Sequence, residues 1–200
     1  VSLGIPPHIE EEFVLELYNG MIEAANGPGI AIIGGDISRS ESIVVSIALY
    51  GDVDAGKEIR RNGARPGEFL YVTGNLGGSL AGLEILKNGI MDTKYAALCA
   101  RHMRPHARYD IVHDIIAQFA PTAMIDISDG LVSDARHVCE ESGVGVCLYG
   151  DRIPLCKGLD EYAKSKGKRP LDYALASGEE YELLFASKKR LADTINLYIN

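Results

Sequence analysis

From residue 8 to residue 26, apolar side chains fall on one stripe, Ile9, Phe13, Leu17 and Met21, with Val14, Tyr18, Ile22 and Ala25 beside it. That spacing, behind Pro6-Pro7 and an acidic opening of Glu10-Glu11-Glu12, predicts an amphipathic helix whose first turn suits the helix dipole. Asn26-Gly27-Pro28-Gly29 stops it. Ile30 to Ile33 then predicts a short buried strand running into Gly34-Gly35-Asp36, which puts the Asp36 carboxylate at a strand end. Ile43 to Tyr50 is apolar at nearly every position, the pattern of a strand covered on both faces.

Gly51 to Pro66 breaks the pattern with Gly, Asp and Arg, and a domain boundary is expected near residue 55. Beyond it the pattern predicts a strand over Glu68 to Thr73 and helices over Ser79 to Asn88, Lys94 to Met103 and Tyr109 to Phe119. A strand over Ala123 to Ile127 follows, then a helix from Leu131 to Glu141 and a strand from Gly143 to Leu148. Asp151 to Arg169 reads as a loop holding a short helix, Leu171 to Ala176 as helix, Glu182 to Ala186 as strand, and Lys189 onward as helix. Strands and helices alternate without an internal repeat, which gives an α/β or α+β fold. The first 55 or so residues would form a helix and a two-strand, hairpin-like unit, too little to bury both strand faces; part of a first domain is expected to be missing.

Composition narrows the function. Of 200 residues, 46% are hydrophobic and 24% charged, which excludes a disordered chain. Twenty Lys and Arg against 28 Asp and Glu leave a formal charge of −8. Such a surface disfavours nucleic acid, and an anionic ligand would need help from metal ions. No apolar run reaches the roughly 18 residues that span a bilayer, and the N-terminus lacks the regions of a signal peptide, so no membrane partner and a cytoplasmic location are expected. The four cysteines show no metal-ligand spacing and read as buried thiols.

Five segments could carry chemistry. GDVDAGKE at Gly51 to Glu58 matches a P-loop at both glycines and at Lys57, but Glu58 stands where the motif needs Ser or Thr and no helical pattern follows. Gly74-Asn75-Leu76-Gly77-Gly78-Ser79 could offer amides to an anion or simply be a packing turn. Asp126, Ser128 and Asp129 crowd oxygen donors onto a turn between strand and helix, which suits a hard cation such as Mg²⁺ beside a phosphate; helix capping would explain Asp129 but not Asp126. Gly34-Gly35-Asp36-Ile37-Ser38-Arg39-Ser40 joins paired glycines to a carboxylate. Ser177-Gly178-Glu179-Glu180-Tyr181-Glu182 sets three carboxylates on a turn, an arrangement usual in surface caps.

In order, GGDISRS, RRNGARPGEFLYVTGNLGG, RHMRPHAR, MIDISDGL and SGEEYELLF make the chain resemble thiamine-monophosphate kinase, of the aminoimidazole-ribonucleotide-synthetase-like (PurM-like) superfamily, over essentially its whole length. The resemblance implies a two-domain PurM-like architecture, with residues 1–54 the remnant of an N-terminal ATP-binding and dimerisation domain and residues 55–200 a C-terminal α/β domain lacking its end. It implies transfer of the ATP γ-phosphoryl to thiamine monophosphate with Mg²⁺, in a homodimer. On that likeness Asp36, Asp126 and Asp129 match metal ligands, and Gly35, Asp36, Ser128 and Arg61 match nucleotide contacts. Glu179 matches the substrate-binding acid, and no side-chain nucleophile is required.

The chain departs from the family pattern in three places: Ile37-Ser38 after GGD, Gly78 in the family's L-G-D-S turn, and Glu180 for the Asp after Glu179. The family's upstream I-G-D-D-A segment and its downstream aromatic contact are absent, so the 200-residue polypeptide is expected to be inactive by itself. The alternatives are another PurM-like ATP-dependent enzyme such as selenophosphate synthetase, or a non-catalytic nucleotide-binding or dimerisation module.

Overall fold

A computed structural model describes residues 1–90 and 92–190. The helix expected from Lys189 onward lies beyond Arg190, outside the described residues. The chain divides into two compact units, Val1–Lys57 and Glu58–Asn200.

In the first unit, strand β1 (Ser2–Ile5) lies between β2 (Asp36–Arg39), parallel to it, and β3 (Val44–Ser46), antiparallel. Helix α1 (Glu11–Asn26) follows β1 as its pattern predicts. Three expectations change. Ile30 to Ile33 is not a strand, and Asp36 opens β2 instead of ending one, because the ladder begins where Ser2 faces Asp36. The two later strands do not form a hairpin, since β1, too short between the N-terminus and Pro6 to stand out in the sequence, separates them. The apolar run at Ile43 to Tyr50 contributes only three strand residues, exposed rather than covered: Val44 and Val45 are 49% and 44% accessible. The stripe of α1 also holds no fully buried residue.

In the second unit, β4 (Phe69–Val72), β5 (Ala123–Asp126) and β6 (Leu183–Ser187) form an antiparallel sheet with β6 central. The helices are α2 (Gly78–Lys87), α3 (Ala96–Met103), α4 (Val112–Phe119), α5 (Leu131–Ser142), α6 (Leu159–Ser165) and α7 (Pro170–Ala176). Antiparallel pairing resolves the open choice of class as α+β. The expected strand over Gly143 to Leu148 is absent. Gly143 takes a left-handed φ of 66° that closes α5, and the segment after it joins no ladder, though Leu148 still rests on the core.

One face of the sheet buries Ala123, Ile125, Leu184 and Ala186 against Leu131, Ala135 and Val138 of α5. Ile115 and Phe119 of α4 pack with Phe185, which alternation turns to the other face. A separate core gathers Ala81, Ile85, Leu98, Leu159, Tyr162 and Tyr173 from α2, α3, α6 and α7. Within it the Glu84 carboxylate accepts from Tyr173 at 2.7 Å, Tyr162 at 3.2 Å and the Lys168 ammonium at 3.1 Å. The cysteines are free, but only Cys156 is buried; Cys147 is exposed and Cys99 and Cys139 are intermediate, which corrects the expectation of four buried thiols. Among the described residues no helix is long and apolar enough to cross a membrane.

Candidate functional site

Asp126 and Asp129 flank the end of β5. The strand is apolar where it faces the core, Ala123 and Ile125, and its next residue in the opposite phase is the exposed Asp126. Ile127 is wholly buried and anchors the turn. The turn is closed from inside by a residue absent from the candidate set. Asp134, only 1% accessible on α5, accepts the backbone N–H of Asp129 at 3.1 Å and of Gly130 at 3.0 Å. Burial raises the Asp134 pKa; the two amides oppose the rise, and the charges of Asp129 and Asp126 add to it.

Asp126 lines a cavity of about 530 Å³ together with Arg60, Arg61, Asn62 and Glu141 among others. Arg61 and Asp126, 65 positions apart, thus line one concavity. The strand edge explains this, since the Met124 N–H donates to the Arg60 carbonyl at 3.0 Å. Among the described residues neither the Asp126 carboxylate nor the Arg61 guanidinium has a hydrogen bond or ion pair, so both heads are open to a ligand. Asp129 lies 3.9 Å from His137 Nε2, and Asp129, Asp134 and His137 form a cluster with ligand atoms within 4.8 Å of one another. Both amides bond Asp134 Oδ2, and among the described residues the cluster takes in Asp129, Asp134 and His137 but neither Asp126 nor Asp36, so the three carboxylates expected as metal ligands are not brought together in it. The exposed, hard oxygen donors of Asp126 and Asp129 fit Mg²⁺.

Glu179 projects from a second turn, with its side chain 62% accessible and its Oε2 at 3.6 Å from His102 Nδ1. The neighbouring carboxylates were expected at the surface and are not. Glu180 and Glu182 are 0% and 1% accessible. Arg101 on α3 lies between them, 3.1 Å from Glu180 Oε2 and 2.9 Å from Glu182 Oε1, while Thr73 donates to Glu182 at 2.5 Å. Burial would lower the Arg101 pKa, but the charges of Glu182 and Glu180 outweigh it and raise the pKa overall. No local signal marks this network, because Arg101 stands 79 and 81 positions from its partners; only the run of three acids hinted at it.

The glycine turn before α2 is a packing solution. The first amides of α2 are taken by the chain itself, Ser79 N–H by Glu180 Oε1 at 3.1 Å and Leu80 N–H by Ser177 Oγ at 3.0 Å. The anion at this helix N-terminus is an internal carboxylate. The P-loop-like segment also lacks its chemistry: Lys57 pairs with Asp54 at 2.7 Å and no helix follows.

Asp36 and Gly35 lie in the first unit. Asp36 accepts the Ser38 hydroxyl at 2.7 Å, and its N–H donates to the Val1 carbonyl at 3.0 Å. A Cβ on Gly35 would stand 2.0 Å from that same carbonyl, so packing alone demands glycine there. Ser128 is half-buried, and its carbonyl accepts the Glu179 N–H at 2.8 Å.

No family model matches the chain. Comparison with curated sequences does find relatives: one from Aquifex aeolicus is 40% identical over 191 residues, covering 94% of this chain and 61% of its own length. That relative, like one from Salmonella typhimurium that is 33% identical to this chain, is a thiamine-monophosphate kinase. The chain spans between about half and three-fifths of the length of the curated relatives it matches. Among solved structures, AaThiL complexed with AMPPCP and TMP superposes with a TM-score of 0.81 at 36% identity, covering 93% of this chain and 60% of that one. Escherichia coli HypE, 16% identical with a TM-score of 0.75 over 98% of this chain and 60% of its own, shares the fold alone. The fold is PurM-like, as thiamine-monophosphate kinases and HypE both show.

Proposed function

We propose that the protein containing this chain phosphorylates thiamine monophosphate with ATP, giving thiamine diphosphate and ADP. The observation that carries the reading is the concavity shared by Arg61 and Asp126, in a chain homologous to thiamine-monophosphate kinases and alike in fold to a structure complexed with AMPPCP and TMP. An acceptor phosphate oxygen attacks the ATP γ-phosphorus in line as the bond to the β,γ-bridging oxygen breaks. The attacking acceptor oxygen is already deprotonated near neutral pH, so no protein base or nucleophile is needed.

The residues' task is placement. Arg61 holds phosphate oxygens with its forked donors, where an ammonium would act as a point charge. Ser128 contacts the nucleotide from the half-buried floor of the turn, and Gly35 with Asp36 does so on the first unit. Glu179 attracts the cationic thiamine moiety. Asp126 and Asp129 would hold Mg²⁺ on the second unit and Asp36 on the first; bound there, Mg²⁺ screens the repulsion between two anionic reactants. The reading carries with it a homodimer and a cytoplasmic setting.

The test is turnover of thiamine monophosphate by the whole protein. Asp126→Asn is expected to lower the rate at least about tenfold and to raise the Mg²⁺ concentration required. Unchanged rate and Mg²⁺ dependence would refute the assignment.

A further inference from the structure

Two bulky residues of the Glu179 turn have backbone that side chains ordinarily avoid. Glu179 has φ +55° and Tyr181 φ +54°, and the wholly buried Glu180 lies between them. Left-handed backbone at a non-glycine residue is unfavourable and persists only where the surroundings impose it. The Glu180 carboxylate is the fixed point. Its Oε1 accepts Ser177 Oγ at 2.6 Å and the Ser79 N–H at 3.1 Å, and its Oε2 accepts Arg101 Nη2 at 3.1 Å. The same guanidinium also donates to the Glu180 carbonyl at 3.1 Å.

The strained turn is in turn laced to the Asp126–Asp129 turn. Glu179 N–H donates to the Ser128 carbonyl at 2.8 Å, and Glu180 and Tyr181 N–H both reach the Ile127 carbonyl, at 3.2 and 2.9 Å. Ile127 N–H returns a bond to the Glu182 carbonyl at 2.8 Å. Contact is close enough that a Cβ on Gly178 would lie 2.7 Å from the Ser128 carbonyl. A shift in one turn therefore displaces the other.

We propose that Glu180 is a positioning residue: clamped by Arg101, Ser177 and the first turn of α2, it imposes the left-handed backbone on either side of it and so aims the exposed Glu179 carboxylate from the turn bonded to Ser128. The inference rests on the reading of Glu179 as the contact for thiamine monophosphate. It assigns Glu180 no contact with substrate. It also gives a reason for three acids within four positions, Glu179 presented outward and Glu180 and Glu182 held inside, both by Arg101 and Glu182 by Arg108 as well.

Glu180→Gln keeps the shape but sets an amide against the Arg101 fork. In the whole protein it is expected to raise KM for thiamine monophosphate about tenfold, the size of effect that release of one left-handed residue gives. Tyr181→Gly, alone, is expected to leave that KM within about twofold, because glycine enters left-handed backbone freely. In the Glu180→Gln background it is expected to restore KM, since the backbone no longer needs to be forced. A Glu180→Gln protein that is less stable but has unchanged KM would overturn the proposal, as would failure of Tyr181→Gly to rescue it. Ser177→Ala, which removes one of the three bonds to Glu180 together with the acceptor of the Leu80 N–H, serves should Glu180→Gln not fold, with a rise of about threefold expected and no rise refuting.

Amide hydrogen exchange separates this proposal from the functional reading. Without any substrate, Glu180→Gln should speed exchange at Glu179 and Tyr181 and at the turn of Asp126–Asp129, and unchanged exchange there refutes the positioning role. A wild-type protein that fails to phosphorylate thiamine monophosphate overturns the functional reading instead.

Discussion

Asp134 offers the sharpest test of how the acidic turn is built. Its carboxylate is almost fully buried and accepts two backbone amides, from Asp129 at 3.1 Å and Gly130 at 3.0 Å. Replacing it with alanine removes both bonds and takes from the two amides the acceptor they have in the fold. Hydrogen bonds to a charged group contribute about 1.5–3 kcal/mol each, and partial rehydration of the loosened turn recovers some of that, so a loss of about 3 kcal/mol is expected. For a unit of this size the loss corresponds to a fall in Tm of roughly 6–12 °C. Asparagine should behave differently. It keeps an acceptor oxygen toward the amides and removes a charge that burial and the nearby Asp129 and Asp126 disfavour in the fold. A carboxyl with a raised folded pKa contributes most stability below its ordinary 3.8 and loses that contribution as pH climbs through the folded value. Asp134→Asn, neutral at every pH, is therefore expected within about 1 kcal/mol of wild type at pH 7. Urea denaturation followed by circular dichroism reads both variants. A loss under about 1 kcal/mol for Asp134→Ala, or equal losses for the two, would refute the account of the turn.

Arg101→Met should be more damaging than either, at about 3 kcal/mol or more, because it strands the buried Glu180 charge without its cation and leaves the buried Glu182 only Arg108, at 3.4 Å. A chemical denaturation curve that matches wild type would show that these carboxylates do not depend on Arg101. The core around Glu84 predicts a loss of stability in alkali. Burial, then the Glu84 charge, pushes Tyr162 up to about 12, and burial with the Glu84 hydrogen bond raises Tyr173 as well. Groups raised in the fold contribute fully below the unfolded value near 10, and that contribution fades as pH rises through about 12. Tyrosinate absorbance should show a late-titrating fraction that diminishes in Tyr162→Phe; ionisation of both residues near 10 would contradict the burial argument.

The legible parts of this protein were those set by neighbours in the chain. The period of Leu131 to Glu141 gives α5 and the apolar run from Ala123 gives β5, so the Asp126, Ser128, Asp129 turn between them was visible without a structure. The strands of the first unit were not, because Ser2–Ile5 is short and the run at Ile43 to Tyr50 has the composition of a covered strand while standing mostly exposed. Gly143 to Leu148 has the pattern of a strand, yet a strand exists only where another edge receives it, and among the described residues this segment pairs with neither edge of the sheet, β4 or β5.

The sequence by itself determined the class of donors at each turn: carboxylates after β5, an arginine at Arg61, and acids at Glu179 to Glu182. It could not say which acids face water, since burial of a charge depends on a counter-charge supplied from elsewhere in the fold. Tertiary structure decided that by bringing Arg101 against Glu180 and Glu182 and by turning Asp134 inward to the amides of the turn. The reason is electrostatic: an unpaired carboxylate cannot be buried at tolerable cost. Glu179, 3.6 Å from His102 and with its side chain 62% accessible, remains at the surface where a ligand can reach it.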